Sequence, residues 1–302
     1  MGGRVMKLLD FGSLNIDHCY RLPHLVRAGE TLSSGSYRRS SGGKGFNQAL
    51  ALAKAGRQVS MAGAIGQDGL FLRDMLEEAG VDVSRLQIID EPTGHAVIQV
   101  DEQGCNSIIL YGGANQKNTP ERIEAALAGF GEGDYVLMQN EINLGREVLL
   151  AAKARGMHVI LNPSPVSEEL LTWPLEMLDW LILNEIEGFD LTGEKEPDRM
   201  IDALLRRYQA CRLVLTLGDK GSVYADGERR LFQPSMPAEV VDSTAAGDTF
   251  TGYFFCAVLE GRGVEDALRL ATMASSITVS RAGAGVSIPL RAEVEQRLGT
   301  RL

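Results

Sequence analysis

The chain has 302 residues and 44% of them are hydrophobic, which is enough to bury a large core in one domain or two. Its formal net charge of −10 argues against nucleic acid and anionic membrane surfaces as partners, because both select for basic protein surface. The four cysteines are far apart in the sequence, which fits a reduced cytoplasmic protein better than a disulfide or zinc framework.

The N-terminal part predicts a buried strand followed by polar residues. Residues 5–11 are mostly apolar, and no long hydrophobic segment or small-residue cleavage site accompanies them, so we expect no signal peptide. Asn15 and Asp17 come just past the carboxyl end of this strand, which is the edge where open α/β sheets bind ligands. Residues 14–40 show no helical period and are predicted to form a β flap.

A glycine pair opens the first predicted helix. Gly42 and Gly43 precede an apolar stripe that begins at Phe46 and ends at Gly56. The glycines let the backbone come close to a ligand, and Asn47 is predicted to face that ligand. A glycine pair before a helix is also common as a simple turn, so this feature decides nothing alone.

Strand and helix alternate next, and then the period changes. Residues 58–65 are predicted as strand and residues 68–79 as helix. Residues 96–100 and 106–110 flank Asp-Glu-Gln-Gly, which is typical of a β-hairpin. We expect this hairpin region, residues 94–112, to form a small antiparallel lid together with the flap, outside the main sheet.

The second half alternates strands with helices, which predicts an α/β fold with a mostly parallel sheet and helices on both faces. The predicted strands are residues 135–139, 158–161, 180–183 and 212–216, and the predicted helices are residues 143–155 and 197–209. Polar residues follow the strand ends, among them Glu141, Asn162, Asn184, Glu187 and Thr216. Each alone is more often a turn or cap residue than a ligand. Because parallel strands bring these ends to one edge, their coincidence favours an active site there.

The stretch 242–250 places small residues and a carboxylate at the entry to a helix, which is predicted to pack one face inward and to end at Gly261. Backbone N–H groups before this helix can approach an anion at its positive end. The residues concerned are Ala245, Ala246 and Gly247. A carboxylate beside an anion is electrostatically unfavourable unless it has a chemical role, such as accepting a proton. The position of Asp248 suits this role. The structural alternative is that Ser243 and Thr244 only cap a buried helix.

Together these motifs resemble the ribokinase-like, or phosphofructokinase-B-type, family of carbohydrate kinases over about residues 8–289. The family pattern GGKGxNQA matches residues 42–49, and the DTxAAGDTF signature matches residues 242–250. Three shorter motifs lie between them, at residues 162–163, 184–187 and 216–221. The resemblance implies a single domain over residues 1–302, with a three-layer α/β/α fold, a mostly parallel central sheet and a small β lid.

The resemblance also implies a role for each matched position. Asp248 matches the base that takes a proton from the sugar hydroxyl, and the small residues at 245–247 match an anion hole. The positions that match sugar contacts are Asn15, Asp17, Gly43, Lys44, Asn47 and Glu141. The positions that match the site of ATP and Mg²⁺ are Asn184, Glu187, Thr216, Gly218 and Gly221. A site for K⁺ is implied at the Asp242 side chain and at backbone carbonyls of Thr244, Val279, Ala282, Ala284 and Ser287.

The implied activity is transfer of the γ-phosphate of ATP to a primary hydroxyl of a small furanose, with ribose the first candidate and ribose 5-phosphate the product. Other candidates are 2-deoxyribose, fructose, a nucleoside, a keto-deoxy acid or a phosphorylated sugar. A rival of another class is a sugar-sensing protein without turnover, but such a protein has no need to keep Asp248 and the anion hole. The lid edges are candidates for pairing in a homodimer, and the expected location is the cytoplasm.

Three residues depart from the family pattern. Phe46 stands where a small residue is usual, and it would shrink the pocket if it faced the ligand. Its helical spacing with Leu50 and Ala53 favours the core instead. Arg38 and Arg39 precede the glycine pair where related sequences are largely apolar or neutral. They either reach a ligand phosphate or are solvated charges on a strand edge, and the second arrangement is commoner.

Overall fold

A computed structural model describes residues 6–299, so Val5, where the predicted N-terminal strand begins, lies outside the described residues. Thirteen strands lie in two sheets within this part of the chain. In chain order they are β1 (Leu8–Phe11), β2 (Asn15–Arg21), β3 (Ser36–Gly42), β4 (Ser60–Ile65), β5 (Asp82–Ile88), β6 (Gly94–Val100), β7 (Asn106–Tyr111), β8 (Tyr135–Gln139), β9 (His158–Asn162), β10 (Trp180–Asn184), β11 (Arg212–Thr216), β12 (Gly221–Ala225) and β13 (Arg230–Pro234).

The main sheet has the strand order β13-β12-β11-β10-β9-β8-β1-β4-β5. All pairs from β11 to β5 are parallel, and β12 and β13 extend the sheet antiparallel at one edge. The prediction of a mostly parallel sheet is therefore confirmed. Because β1 lies between β4 and β8, strand order reverses there, and such a switch point is where open α/β sheets bind ligands.

Three strands were not predicted from the sequence pattern, β5, β12 and β13, and two of them, β5 and β13, form the two edges of this sheet. β5 includes Asp82 and Arg85 and is only partly buried, so it lacks a clear apolar pattern. β13 ends in Pro234 and alternates between exposed and partly buried residues. Charges and proline are typical of edge strands, whose outer backbone groups face no partner strand.

Nine α-helices cover the two faces of the main sheet within the described residues. They are α1 (Lys44–Lys54), α2 (Leu70–Glu78), α3 (Pro120–Leu127), α4 (Gly145–Ala154), α5 (Glu185–Thr192), α6 (Pro197–Arg207), α7 (Ala246–Leu259), α8 (Val264–Val279) and α9 (Arg291–Leu298). Helices α1, α2, α7, α8 and α9 share one hydrophobic core with the sheet, and α3 to α6 share the other. This is the expected three-layer α/β/α arrangement. Between residues 6 and 299, no helix has the length and hydropathy to span a bilayer.

Helix α7 is more deeply buried than its sequence period predicted. The expectation was one inward face, but every residue from Asp248 to Ala257 is buried, because α1, α8 and the sheet surround the helix. A Cβ atom on Gly252 would lie only 2.5 Å from the Cβ of Ala51 in α1. Glycine at this position therefore allows α1 and α7 to pack closely against each other.

The lid is a separate small sheet with the order β3-β2-β6-β7. Its outer pairs, β3 with β2 and β6 with β7, are antiparallel as expected, and the middle pair of β2 and β6 is parallel. The sequence pattern could not predict this middle pair, because it joins strands from distant parts of the chain. Gly42, the last residue of β3, leads directly into α1, so the lid is continuous with the floor of the cleft described below.

Candidate active site

A cleft lies at the carboxyl ends of the central strands, beside the starts of α1 and α7. It consists of two adjoining cavities, a polar cavity of about 210 Å³ and an apolar cavity of about 470 Å³. Both are lined by Thr216, Ser243, Ala246 and Gly247, so they form one continuous space. The sequence motifs at 184–187, 216–221 and 242–250 all contribute to its walls.

The chain enters α7 through a strained turn. Ala245 has a φ of 61°, a left-handed conformation that residues with a Cβ atom rarely adopt. The N–H of Ala246 donates to the Ser243 carbonyl at 3.2 Å, whereas no acceptor among the described residues takes the N–H of Gly247. A Cβ atom on Gly247 would meet nothing within 4 Å. The first turn of α7 therefore offers a free N–H group and open space for an anion at its positive end.

The carboxylate of Asp248 is held by two side-chain amides from α1. Nδ2 of Asn47 donates to Oδ2 of Asp248 at 3.0 Å, and Nε2 of Gln48 donates to Oδ1 at 2.9 Å. Asp248 is only 8% exposed and lines the polar cavity. The two longest sequence motifs thus meet at one carboxylate that is fixed on both oxygens. The role of Gln48 was not predicted, and its position next to Asn47 at the start of the helix was the available signal.

Lys44 brings a positive charge into the polar cavity beside Asp248, Asn184 and Glu187. Burial alone lowers the pKa of the Lys44 ammonium, but the carboxylates of Asp248, Glu141 and Glu187 outweigh it and raise the pKa. The ammonium therefore stays charged. The resemblance matched Lys44 to the sugar; in the structure it lines the polar cavity together with the predicted nucleotide residues Asn184 and Glu187.

Asn184 and Glu187 hold each other at the start of α5. Oδ1 of Asn184 accepts from the Glu187 N–H at 2.9 Å, and Oε2 of Glu187 accepts from the Asn184 N–H at 3.0 Å. Nδ2 of Asn184 also donates to Oε1 of Glu187 at 3.0 Å. This is a capping box, in which each side chain satisfies a backbone N–H of the other residue. Asn184 and Glu187 also line the polar cavity, so their capping role does not exclude a role in binding there.

The apolar cavity is lined by predicted nucleotide residues and by two segments that were not predicted. Gly221 has a φ of 125°, and a Cβ atom there would lie 2.1 Å from the Gln233 carbonyl, so only glycine fits. Thr216 and Gly218 line the same wall. The unpredicted lining comes from the loop with Met236, Pro237 and Val240, and from Thr272, Ser275 and Ser276 of α8. The helical spacing of these small residues on α8 was the signal that could have found them.

Asp17 and Glu141 bring two carboxylates together on the lid side of Lys44. The pKa of Asp17 is raised to about 7; burial is the largest cause, Glu141 contributes to the rise, and Arg38 opposes it. A Cβ atom on Gly42 would lie 2.3 Å from both carboxylate oxygens of Asp17, so this glycine makes room for the carboxylate. Neither Asp17 nor Glu141 lines the two cavities, and Glu141 is joined to the cleft through the N–H of Lys44.

The remaining predicted sugar residues lie around the turn before α1. Glu141 accepts from the Lys44 N–H at 3.1 Å and from the Ser13 hydroxyl. Oδ1 of Asn15 accepts from Nδ2 of Asn115 at 2.8 Å, and Asn115 was not predicted as part of the site. Gly43 has a φ of 90°, and a Cβ atom there would lie 2.8 Å from the Asn15 nitrogen. Gly43 is therefore required by the close approach of the backbone, whereas Gly42 makes room for the Asp17 carboxylate.

The predicted cation residues form two adjacent loops tied by Asp242. Its Oδ1 accepts from the Thr244 N–H at 2.9 Å and hydroxyl at 2.6 Å, and its Oδ2 accepts from the Gly283 N–H at 2.9 Å. Burial raises the pKa of Asp242, but these hydrogen bonds outweigh it and lower the pKa. The Val279 carbonyl already accepts from two N–H groups, and the Ala284 carbonyl accepts twice from Ser287. No described donor occupies the carbonyls of Thr244, Ala282 or Ser287.

The three residues that depart from the family pattern are now placed. Phe46 is fully buried in the core, so it does not shrink the pocket. Arg39 donates to the Asp68 carbonyl at 2.5 Å and lies over the Phe71 ring at 4.2 Å, so it ties the lid to the body. Arg38 is exposed, and its charge acts on both Asp17 and Asp242.

Comparison with known proteins agrees with this geometry. Residues 6–291 match the pfkB family of carbohydrate kinases. A ribokinase of Haemophilus influenzae is 35% identical over 93% of this chain and 95% of its own length. The structure of a Cryptococcus neoformans ribokinase in complex with ADP aligns with a TM-score of 0.85 at 36% identity, covering 97% of this chain and 99% of that one. An Arabidopsis thaliana ribokinase complexed with ribose and ATP aligns with a TM-score of 0.84 at 34% identity, covering 97% and 99% of the two chains.

The chain belongs to the pfkB family of carbohydrate kinases, as its sequence motifs, fold and cleft all indicate.

Proposed function

We propose that the protein is an ATP-dependent kinase that phosphorylates the primary hydroxyl of D-ribose to give ribose 5-phosphate. The observation that carries this proposal is the position of Asp248, which is fixed by Asn47 and Gln48 next to the free N–H group of Gly247. A base beside an anion site is what in-line phosphoryl transfer requires. Ribose is favoured among sugars because the relatives that share about a third of the sequence are ribokinases.

In the proposed reaction, Asp248 accepts the proton of the sugar hydroxyl. The hydroxyl oxygen forms a bond to the γ-phosphorus while the bond from that phosphorus to the β–γ bridging oxygen breaks, which leaves ADP. The N–H of Gly247 and the Lys44 ammonium stabilise the charge on the transferring group, because both lie on the cavity that Asp248 lines. We therefore assign Lys44 to the phosphoryl group and not to the sugar.

The apolar cavity is proposed to take the nucleotide, with Thr216, Gly218 and Gly221 along its wall. Mg²⁺ supplies charge neutralisation at the phosphate oxygens when it is bound. Between residues 6 and 299 no three His, Cys, Asp or Glu side chains gather into a metal cluster. Mg²⁺ is usually held by one or two carboxylates together with water and substrate phosphates, so Asn184 and Glu187 fit it as the residues that orient those waters.

The sugar is proposed to lie between the lid and the turn before α1, where Asp17 and Glu141 accept from its hydroxyls. A carboxylate can accept from two adjacent hydroxyls, and a site built this way rejects a sugar that lacks one of them. Asn15, Gly43 and Asn47 complete the proposed contacts. A closely related alternative is a kinase for 2-deoxyribose, another furanose, a nucleoside or a sugar phosphate.

K⁺ is proposed to bind the loops that Asp242 joins, with carbonyl oxygens of Thr244, Ala282 and Ser287 as the ligands left open by the protein's own donors. Its effect would be to fix the backbone before α7. The carbonyls of Val279 and Ala284 are weaker candidates, because each already accepts two hydrogen bonds.

A homodimer through the lid is also proposed. The outer strand β7 exposes a run of apolar side chains, with Ile109 and Leu110 each 60% exposed. Exposed apolar side chains on an edge strand are usually covered by another protein chain or interrupted by charged residues. Cytoplasmic location is proposed because all four cysteines are unpaired.

The test is ADP release from ATP over a panel of pentoses, hexoses, nucleosides and sugar phosphates, with K⁺ or Na⁺ present. We expect the highest kcat/KM with ribose. A preference for another acceptor would select the related alternative. Sugar binding without ADP release from any member would instead support the silent sugar-sensing protein.

A further inference from the structure

Asp10, in β1, carries a carboxyl group that the proposed reaction does not use. Its side chain is fully buried. Oδ1 accepts from Nε2 of Gln139 at 3.0 Å, whereas Oδ2 has no partner within the described residues. Burial raises the pKa of Asp10 well above its usual range, although the hydrogen bond from Gln139 lowers it. Because burying a carboxyl group costs stability, this residue calls for a role that compensates for the cost.

Two amides connect Asp10 to Asp248. Gln139, at the end of β8, donates with the same Nε2 to Oδ1 of Asp10 and to Oε1 of Gln48, at 3.0 and 2.8 Å. Gln48 in turn donates to Oδ1 of Asp248 at 2.9 Å and to Oδ1 of Asn162 at 3.4 Å. A continuous line of hydrogen bonds therefore runs from β1 to the proposed base. All five side chains are buried.

The orientation of the amides along this line, from donor to acceptor, is determined by Asp10 at its end. A primary amide presents donors on one side and an acceptor on the other. The acceptor oxygen of Asp10 favours the orientation in which Gln139 points its NH₂ group toward both Asp10 and Gln48. Gln48 then offers its oxygen to Gln139 and its NH₂ group to Asp248. If Gln139 were reversed, Gln48 would reverse too and would point its oxygen at the Asp248 carboxylate.

We propose that Asp10 is a positioning residue that sets the orientation of the Gln139 and Gln48 amides, so that Asp248 receives an N–H donor. This inference rests on the proposed function of Asp248. The space beside the Gln139 amide is tight, since a Cβ atom on Gly12 would lie 2.0 Å from its Oε1. Gln139 therefore has little room to move away on the side of Gly12.

Two variants of similar shape separate the acceptor oxygen from the acid group. Asp10→Asn removes the acid group but keeps an oxygen for Gln139, and Asp10→Leu removes both. We expect Asp10→Asn to keep a kcat close to that of the unchanged protein. Asp10→Leu should lower kcat by about tenfold or more and leave both KM values nearly unchanged, because only the orientation of the base is disturbed.

A substrate-free readout keeps this test distinct from the test of function. In protein labelled with ¹⁵N at glutamine, the side-chain NH₂ resonances of Gln48 should be alike in Asp10→Asn and the unchanged protein and displaced in Asp10→Leu. If Asp10→Leu does not fold, Gln139→Met interrupts the same line from its middle and is expected to reproduce both effects. The proposal is overturned if the Gln48 resonances and kcat of Asp10→Leu match those of the unchanged protein. It is also overturned if Asp10→Asn loses as much activity as Asp10→Leu.

Discussion

Asn47 and Asp248 are 201 positions apart in the chain, and their side chains are joined by a hydrogen bond of 3.0 Å. This contact links the turn that carries the proposed sugar residues to the helix that carries the proposed base. Gln48 repeats the link on the other carboxylate oxygen at 2.9 Å. The starts of α1 and α7 thus act as one rigid unit, which is what a positioned base requires.

Asp17 predicts a pH-dependent affinity for sugar. Its pKa is raised to about 7, first by burial and then by Glu141, so the empty site holds a partly neutral carboxyl near that pH. Only the ionised form accepts from two hydroxyls. The KM for ribose should therefore rise as the pH falls below about 7. Asp17→Asn should raise the KM for ribose about 10-fold to 100-fold and make this KM independent of pH in this range, since a hydrogen bond to a charged group is lost.

The raised pKa of Asp17 has the opposite effect on the stability of the fold, which should decrease as the pH rises. A carboxyl whose pKa is higher in the folded protein than in the unfolded chain destabilises the fold once it ionises. Asp17→Asn should therefore unfold at a higher temperature than the unchanged protein at pH 8. This difference should shrink as the pH falls from about 7 toward about 4. Thermal unfolding across this range measures it, and equal midpoints at pH 8 would show that Asp17 is not desolvated.

Gly42→Ala should impair sugar use selectively. The new Cβ atom would lie 2.3 Å from both Asp17 carboxylate oxygens, so the carboxylate must move. A displacement of about 1 Å at a binding group can cost about 10²-fold in kcat/KM. We expect this loss with ribose at an unchanged KM for ATP. Gly227→Ala is the matched control, because nothing lies within 4 Å of its Cβ position. Equal activity of the two variants would remove Asp17 from the sugar site.

Glu187→Gln tests the proposed metal role apart from the capping role. Glutamine can still accept from the Asn184 N–H, so the capping box and the unfolding temperature should change little. The Mg²⁺ concentration for half-maximal rate should rise about 10-fold to 100-fold, as is usual when an outer ligand is altered. Glu185→Gln, which removes a half-buried carboxylate paired with Lys220 at 3.3 Å, is the control. A Mg²⁺ requirement that is the same in both variants would contradict the assignment.

Asp242 predicts a dependence on the monovalent cation. Replacing Na⁺ by K⁺ should raise kcat of the unchanged protein, and Asp242→Asn should abolish that increase, because the amide cannot balance the cation's charge. Asp266→Asn, on the exposed first turn of α8, should leave the increase intact. If the unchanged protein is indifferent to the cation, Asp242 serves only to tie the two loops through Thr244 and Gly283.

The sequence predicted the architecture and most of the cleft because both depend on local pattern. Strands β8 to β11 are buried apolar runs, and their polar ends gather at one edge by the geometry of parallel sheets. Two glycines of the cleft could also be predicted from local pattern, because their backbone conformation requires glycine. Gly43 and Gly221 have positive φ values that exclude other residues.

What the sequence did not predict depends on contacts between distant segments. The amide of Gln48 lies one residue from Asn47, but only the packing of α1 on α7 shows that it reaches Asp248. Asn115 contacts Asn15 from 100 positions away. Lys44 was matched to the sugar by motif, but the sequence could not show which carboxylates surround its ammonium.

The most direct test of the account is the Asp248→Asn variant, in which ribose binding is measured by calorimetry and turnover by ADP release. Asparagine keeps the shape of the side chain but cannot accept the hydroxyl proton. Ribose should therefore bind with a Kd within about threefold of the unchanged protein, while kcat falls by at least about 10²-fold. A near-normal kcat in this variant would contradict the assignment of Asp248 as the base.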